Sequence, residues 1–499
     1  MFALMLELGD TRGEAFPFRV CQCRVDCHEC HSFARGLQLR QADVDYPFMR
    51  TITLTSVICI AFVAQSASQS PGSAAPAPIG AYSVSPELPG MGRPADTAAT
   101  AARRRALLRR LGRATVLIPA AHERNIEKDY VQDNDFRQDN TFFYFTELET
   151  QDAWLVMTAR GPDSLETVLF LPPRTPSQER WTGLRLGPDS VAVRLSGIAK
   201  VLPTDSLDIR LRRLRFANTP IYVPLGPTTR EERQIADIAF SGADVRNLLP
   251  IVDSMRVVKD ADEIARLRRA VEISVAGHVA AMRAARPGMY EYEMEAVLEE
   301  GFRGNGADRL GYPSIVGSGP NSTTLHYDVN RRRTENGDLV VIDAAAEWGQ
   351  YTADVTRTFP VNGKFTPRQK AIYDLVLGAQ QAAFDSMRPG MTMRQLDDIA
   401  RHYMRDHSGT LCGDKTCDDR EYFNHGLGHP IGMDVHDVGI GRPLEPGMVV
   451  TLEPGIYLEA ERLGVRIEDD VLVTAKGGEW LSAGAPRTTD AIEKLMRGR

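Results

Sequence analysis

LVVIDAAAEWGQYTADVTRTF, residues 339–359, holds two strand-length apolar runs, LVVIDAAAE (339–347) and YTADVTRTF (351–359), joined through a short Glu-Trp-Gly-Gln connection. Runs of this length, rich in Val, Ile and Thr and separated by a glycine, read as adjacent strands. Each carries one aspartate, Asp343 and Asp354, eleven positions apart. An odd offset puts two residues of one strand on opposite faces, but an intervening turn can return both side chains to one place. Carboxylates within apolar strands are seldom buried unless they are paired or hold a cation.

The surroundings supply further strands and helices. MVVTLEP (448–454) and GVRIEDDVLVT (464–474) read as a second strand pair. Residues 260–285 carry an apolar stripe at Ile264, Leu267, Ala270, Val271 and Val275, and Arg286-Pro287-Gly288 ends that helix. Another helix begins with Thr366 as N-cap, Pro367 in its first turn and Gln369 completing a capping box. A third repeats the signal with Thr392 and Gln395. RPGM occurs at 286–289 and again at 388–391, each time between two helices, which suggests an internal duplication. Two strand pairs with helices outside make an α+β domain over 250–499. Upstream, strands at 114–120, 153–159, 166–172 and 221–225 alternate with helices. They read as a smaller α/β domain over 103–249, with its boundary near Pro250 and Asp253.

Length and composition agree with two domains. The 499 residues are 25% charged and 43% hydrophobic, with a net charge of −7, and no basic stripe marks a nucleic-acid surface. Arg103-Arg104-Arg105 with Arg109 and Arg110 read as a solvated helix face. The first hundred residues differ from the rest. Met49-Arg50, an apolar run from Ile52 to Ala64 and small residues after it have the layout of a secretory signal peptide over 49–66. The run is short for a membrane span. A Pro/Ala-rich linker follows over 67–102. Residues 1–48 then read as a mis-assigned upstream segment, although the cysteines and histidines between Cys21 and His31 also resemble part of a zinc site. Export would leave Cys412 and Cys417 as the remaining cysteines, either joined in a small loop or unpaired.

Three of the ten histidines crowd into HGLGHPIGMDVHD (425–437). His425 and His429 are four apart, but Gly426, Gly428 and Pro430 argue against a helix, so a glycine-rich loop presents them. Glu453 ends a strand in TLEPG, and Glu468 lies within VRIEDD, two residues from Arg466 on one strand face. Each carboxylate alone has an ordinary structural reading as turn, cap or surface charge, and each imidazole alone could be a buried structural histidine. Two Asp, two Glu and one His together suit divalent ions. Four carboxylates balance two such ions, and without cations their mutual repulsion would raise their pKa values.

IDAAAEWGQYTADVTRTFPVNGKFT, HGLGHPIGMDVHDVG, TLEPGIY and GVRIEDD together resemble the pita-bread metallopeptidases, in particular aminopeptidase P, with prolidase a near relative. DFRQDNTFFYFTELE (135–149) and WTGLRLG (181–187) resemble that family's N-terminal domain, so the likeness spans about residues 103–480. It implies a C-terminal pita-bread catalytic domain preceded by the smaller α/β domain. It also implies metal ligands at Asp343, Asp354, His429, Glu453 and Glu468, holding two divalent ions, manganese by family habit with zinc or cobalt also suited. Glu453 would be the proton acceptor, His326, His425 and His436 would line the cleft, and Tyr457, Arg466 and Trp181 would serve substrate binding. Arg466 would orient Glu468, and Trp181 would stand near an active-site entrance, sometimes that of a neighbouring subunit. The implied activity is release of the N-terminal residue from Xaa-Pro peptides by metal-hydroxide attack. The alternatives are an Xaa-Pro dipeptidase, or a metal-free binding protein or non-peptidase hydrolase of the same fold. Proline-containing peptides are the implied partners, with assembly as a dimer or tetramer, and the signal segment points to the periplasm or secretion. CGDKTC (412–417) is not a general feature of the family.

Overall fold

The computed structural model describes residues 88–122, 136–161, 164–214, 219–225 and 242–498. The upstream segment, the signal peptide and the first part of the linker lie outside the described residues. Among the described residues no helix is long and apolar enough to cross a membrane.

Nearer the N-terminus, six strands form one mixed sheet in the order β4-β3-β2-β1-β5-β6. They are β1 (Ala114–Pro119), β2 (Trp154–Gly161), β3 (Ser164–Leu171), β4 (Lys200–Pro203), β5 (Ile221–Val223) and β6 (Val245–Asn247). The central strands are apolar at almost every position because both faces of the sheet are covered. Val116, Ile118, Leu155, Met157 and Leu169 enter one apolar layer, shared with the helices Thr97–Leu111 and Asn140–Thr146. Their neighbours Leu117, Val156, Val168 and Phe170 enter the opposite layer with Leu207 and Ile221. This is the alternation of a pleated strand, read out as two cores rather than core and solvent.

One expectation fails here. Arg103 and Arg104, on the helix Thr97–Leu111, are both 5% exposed rather than solvated. Arg103 pairs with Glu147 and Asp260, and Arg104 donates to the Phe145 carbonyl. The arginine run faces two ways: Arg105, Arg109 and Arg110 point to solvent, while its first two members meet buried acceptors.

The C-terminal domain is built twice over. The long helix Ala261–Ala284 opens on a capping box between Asp260 and Glu263. It turns at RPGM into the helix Glu291–Gly304, and a three-stranded antiparallel sheet follows from β8 (Ile315–Ser318), β9 (Leu339–Asp343) and β12 (Thr356–Pro360). The second half repeats this order. Helix Pro367–Ser386, with its Thr366/Gln369 box, turns at RPGM into helix Met393–His407, with its Thr392/Gln395 box. The sheet of β13 (Val449–Leu452), β16 (Asp469–Thr474) and β17 (Gly477–Trp480) follows. Gly288 and Gly390, at matching places in the two RPGM turns, both have φ of 90°, which a side chain would strain.

The strands that carry the acidic residues are shorter than their apolar runs suggest. The run 339–347 divides into β9 and β10 (Ala346–Trp348), and the run 351–359 into β11 (Tyr351–Thr352) and β12. β9 pairs with β12, whereas β10 and β11 pair in a separate sheet with β7 (Arg309–Leu310). The chain thus changes sheets twice, just after Asp343 and around Asp354. The run 464–474 breaks likewise at Ile467-Glu468, between β15 (Leu463–Arg466), which pairs with β14 (Gly455–Leu458), and β16. Each break leaves a carboxylate at the end of a strand or in the connection beside it.

Candidate metal centre

Register brings the donors together. Asp343 closes β9 opposite Thr356, which opens β12, and Thr356 is bridged in turn to Glu468. The Thr356 hydroxyl donates to Glu468 Oε2 at 2.7 Å. Asp354 lies two residues before Thr356. The histidine loop supplies the fourth wall. It is not a helix, as its glycines foretold, but runs beside β13: Thr451 N donates to the His429 carbonyl (2.9 Å) and Glu453 N to the Leu427 carbonyl (2.8 Å). That approach requires glycine at 428, because a Cβ there would lie 2.2 Å from the Thr451 carbonyl oxygen.

Asp354, His429 and Glu468 each offer a ligand atom, all within 4.8 Å of one another. His429 Nε2 is 3.5 Å from Asp354 Oδ2 and 3.4 Å from Glu453 Oε1. The Tyr312 hydroxyl lies 2.7 Å from Asp343 Oδ1 and 2.5 Å from Asp354 Oδ1, one proton between two carboxylates. All five expected donors line one cavity of about 280 Å³, together with Tyr312, His326, Asp328 and His436. A larger cavity, about 710 Å³, lies among residues 89–92, 172–186 and 303–309 and contains none of these groups.

The electrostatics of the cluster are those of a site built for cations. Burial, reinforced by the Asp343 charge, pushes Asp354 well above the carboxylate range. Burial and Asp354 do the same to Glu468. Burial and Glu468 push Glu453 up to about 8. Asp470, behind them, is raised by burial and Asp354 while it accepts from Asp354 N at 3.1 Å. Glu468 Oε1 is buried without a hydrogen-bond partner, a costly arrangement for a carboxylate oxygen. A carboxylate–imidazole set with one orphaned oxygen fits a divalent ion.

One of the three imidazoles expected to line the cleft sorts differently. His326 and His436 line the cavity, and His436 is pushed down by burial and by His429. His425 stands behind it: Nε2 is 2.9 Å from the Tyr457 hydroxyl and Nδ1 is 3.7 Å from Glu453 Oε2. Burial pushes His425 down to about 4, leaving it neutral. Arg466 reaches Glu468 not directly but through Thr356, whose hydroxyl accepts from Arg466 Nε at 3.4 Å and donates to Glu468 Oε2. Arg466 also donates to Asp343 Oδ2 at 2.7 Å and to the Tyr457 hydroxyl at 3.0 Å. Trp181 is 88% exposed on the short helix Pro176–Thr182 and does not line the cavity.

Three residues at the centre carry no sequence signal of their own. Tyr312 lies in the connection between β7 and β8, Thr356 and Asp470 are ordinary residues of apolar runs, and the tertiary fold is what recruits all three. Cys412 and Cys417 are joined in a disulfide.

Comparison with known proteins covers both domains. Residues 265–475 match metallopeptidase family M24, and residues 100–222 match the aminopeptidase P N-terminal domain. The chain is 36% identical to the Xaa-Pro aminopeptidase of Escherichia coli over 436 residues, spanning 79% of this chain and 96% of that protein. It is 33% identical over 404 residues to Xaa-Pro aminopeptidase 3 of Mus musculus, 73% of this chain and 78% of that one. Among solved structures, proline aminopeptidase P II from Yersinia pestis superposes with a TM-score of 0.75 at 36% identity, covering 81% of this chain and all of that one (100%). Aminopeptidase P from E. coli with the inhibitor Pro-Leu gives 0.75 at 34% identity, covering 81% and 99%.

Proposed function

Because this chain belongs to metallopeptidase family M24 and has the aminopeptidase P fold, with that enzyme's N-terminal domain, we propose that it removes the first residue from peptides whose second residue is proline. The observation that carries the reading is the convergence of Asp343, Asp354, His429, Glu453 and Glu468 on one cavity. Asp354, His429 and Glu468 would hold one divalent ion, and Asp343 and Glu453, on either side of that trio, complete the donors for a second. Manganese is the proposed metal, with zinc and cobalt suited to the same ligands. Bound there, such ions polarise a scissile carbonyl and acidify water.

The rest of the reaction falls to side chains. Glu453, beside His429 and open to the cavity, accepts a proton from the attacking water at its carboxylate and passes it to the departing proline nitrogen. His326 and His436, on the cavity wall, donate hydrogen bonds to the developing oxyanion. Burial and His429 push His436 toward its neutral form, which still has one N–H to give. Arg466 fixes Asp343 through a charge-assisted bond and holds Tyr457, which in turn meets His425. The free amino terminus of the peptide would lie among the acidic groups, which explains trimming from that end. Trp181, exposed on its own chain, is proposed to reach the entrance of a neighbouring subunit's cleft in a dimer or tetramer. Residues 49–66 are proposed to direct export to the periplasm or beyond, which the N-terminal mass of the mature protein from its native host would test.

The decisive experiment incubates metal-reconstituted protein beginning at residue 67 with Gly-Pro and with longer Xaa-Pro-Xaa peptides, followed by mass analysis of products. Release of the first residue from the longer peptides supports the proposal. Cleavage of the dipeptide alone replaces it with a dipeptidase, and intact peptides with metal bound overturn it.

A further inference from the structure

Between the helix Met393–His407 and the histidine loop, the chain makes a detour that the Cys412–Cys417 disulfide closes on itself. Both cysteines are buried, and Cys417 N donates to the Ser408 hydroxyl at 2.9 Å, tying the detour to the end of the helix. From Cys417 the chain passes over Arg401 on its way to His425. That one guanidinium gathers the strap. Nη1 donates to the carbonyls of Asp418 (3.0 Å) and Phe423 (3.1 Å), and Nη2 donates to the carbonyl of His425 (2.7 Å). Nε is fixed by Asp397 Oδ2 at 2.9 Å, and the Phe423 ring lies 4.0 Å from Cζ. One turn further on, Arg405 donates to Asp418 Oδ2 at 2.6 Å. A planar fork with five fixed donors suits this task, whereas the three rotating donors of an ammonium on a flexible stem hold their acceptors less rigidly.

The strap ends on the site. The His425 ring meets the Tyr457 hydroxyl and faces Glu453, and Tyr457 meets Arg466, which binds Asp343. Contacts therefore run without interruption from Arg401 to the proposed proton acceptor and a proposed metal ligand. We propose that Arg401 is a positioning residue: with the disulfide, it sets the main chain at His425 and so aims that imidazole at Tyr457 and Glu453. Its kinetic consequence rests on the peptidase reading above, while its structural consequence does not.

Two measurements test it on the full chain. In steady-state peptide cleavage, Arg401→Met lowers kcat on the order of 10- to 100-fold with KM changed far less, and Arg401→Lys recovers part of the loss. The double variant Arg401→Met/His425→Ala is no slower than His425→Ala alone, because the two residues act through one imidazole. Additive losses, or an unchanged kcat in the single variant, overturn the proposal. In amide hydrogen exchange read by mass spectrometry, Arg401→Met speeds exchange across residues 418–426 and spares the helix 393–407. Joint replacement of Cys412 and Cys417 by serine loosens the same segment. Unaltered exchange there overturns the proposal whether or not any peptide is cleaved, so failure of the peptidase reading and failure of the clamp are told apart. Should the methionine variant not fold, the lysine variant carries both measurements.

Discussion

Two of the buried charge clusters among the described residues are balanced in opposite ways. Where the N-terminal domain meets the helix Ala261–Ala284, Glu147 accepts from Arg103 at 3.0 Å and from Arg266 at 2.7 Å. Asp260 and Asp262 complete that network around the same two arginines. At the metal centre Asp343, Asp354, Glu453, Glu468 and Asp470 share Arg466 as their arginine, and it reaches Asp343 alone. The first cluster sets two cations of its own against three carboxylates. The second is short of them, which a folded chain tolerates only if protons or metal ions make up the difference. Acidic residues were thus available to both sites, and the supply of arginine separates a joint between domains from a metal centre.

The comparison predicts contrasting outcomes. The largest belongs to the centre: Glu453→Gln keeps shape but cannot take up a proton, and turnover falls about 10²- to 10⁴-fold. Near-normal kcat in a metal-loaded variant would remove Glu453 from that role. Next comes the joint, where Arg266→Met takes from Glu147 one of its two arginines and costs up to about 3–5 kcal/mol in denaturant unfolding, with divalent ions giving no rescue. A rescue by metal would mean that the two clusters are not distinct in kind.

A pH effect follows from Glu263, in the same joint. Burial pushes this carboxyl from 4.5 up to about 7, although Arg103 opposes the rise. The folded chain therefore keeps a proton that the unfolded chain releases, and stability falls as pH climbs from 4.5 to 7, then levels off. The gap is worth about 3 kcal/mol at most. Glu263→Gln keeps an acceptor for Asp260 N and a partner for the Tyr351 hydroxyl, and it should flatten that decline in unfolding followed across pH. An unchanged slope assigns the titration elsewhere.

Metal addition comes next. A divalent ion at 100 times its dissociation constant raises stability by about 2.7 kcal/mol, seen as a shift in the melting temperature of metal-stripped protein, and Glu468→Gln should abolish the shift. The smallest effect is expected at the surface. The Arg268–Glu479 pair, 2.7 Å long and some two-fifths exposed on both sides, should yield less than about 1 kcal/mol when Arg268 becomes Ala. A larger loss would show that exposure is a poor guide to worth here.

Much of this was legible in the chain. Two capping boxes sit where Thr366 and Thr392 announce them, because a cap is decided by residues three positions apart. The histidine loop is non-helical because its glycines and proline forbid a helix locally. Other features were not legible. The apolar runs around Asp343, Asp354 and Glu468 look continuous, yet each is broken where the chain passes from one sheet to another. Nothing in a run's composition records that passage. Arg466 and Glu468 are linked through Thr356, 110 positions before the arginine, and the burial of Arg103 depends on Glu147 and Asp260, 44 and 157 positions away.

Taken alone, the sequence determined the alternating strands, the helix starts and the order in which five donors occur, since each of these depends on neighbours within a turn or a pleat. Tertiary structure decided which carboxylates receive an arginine and which are left short of positive charge. That choice depends on distances across sheets and between domains, and periodicity along the chain fixes the face a residue takes but not the partner it meets there.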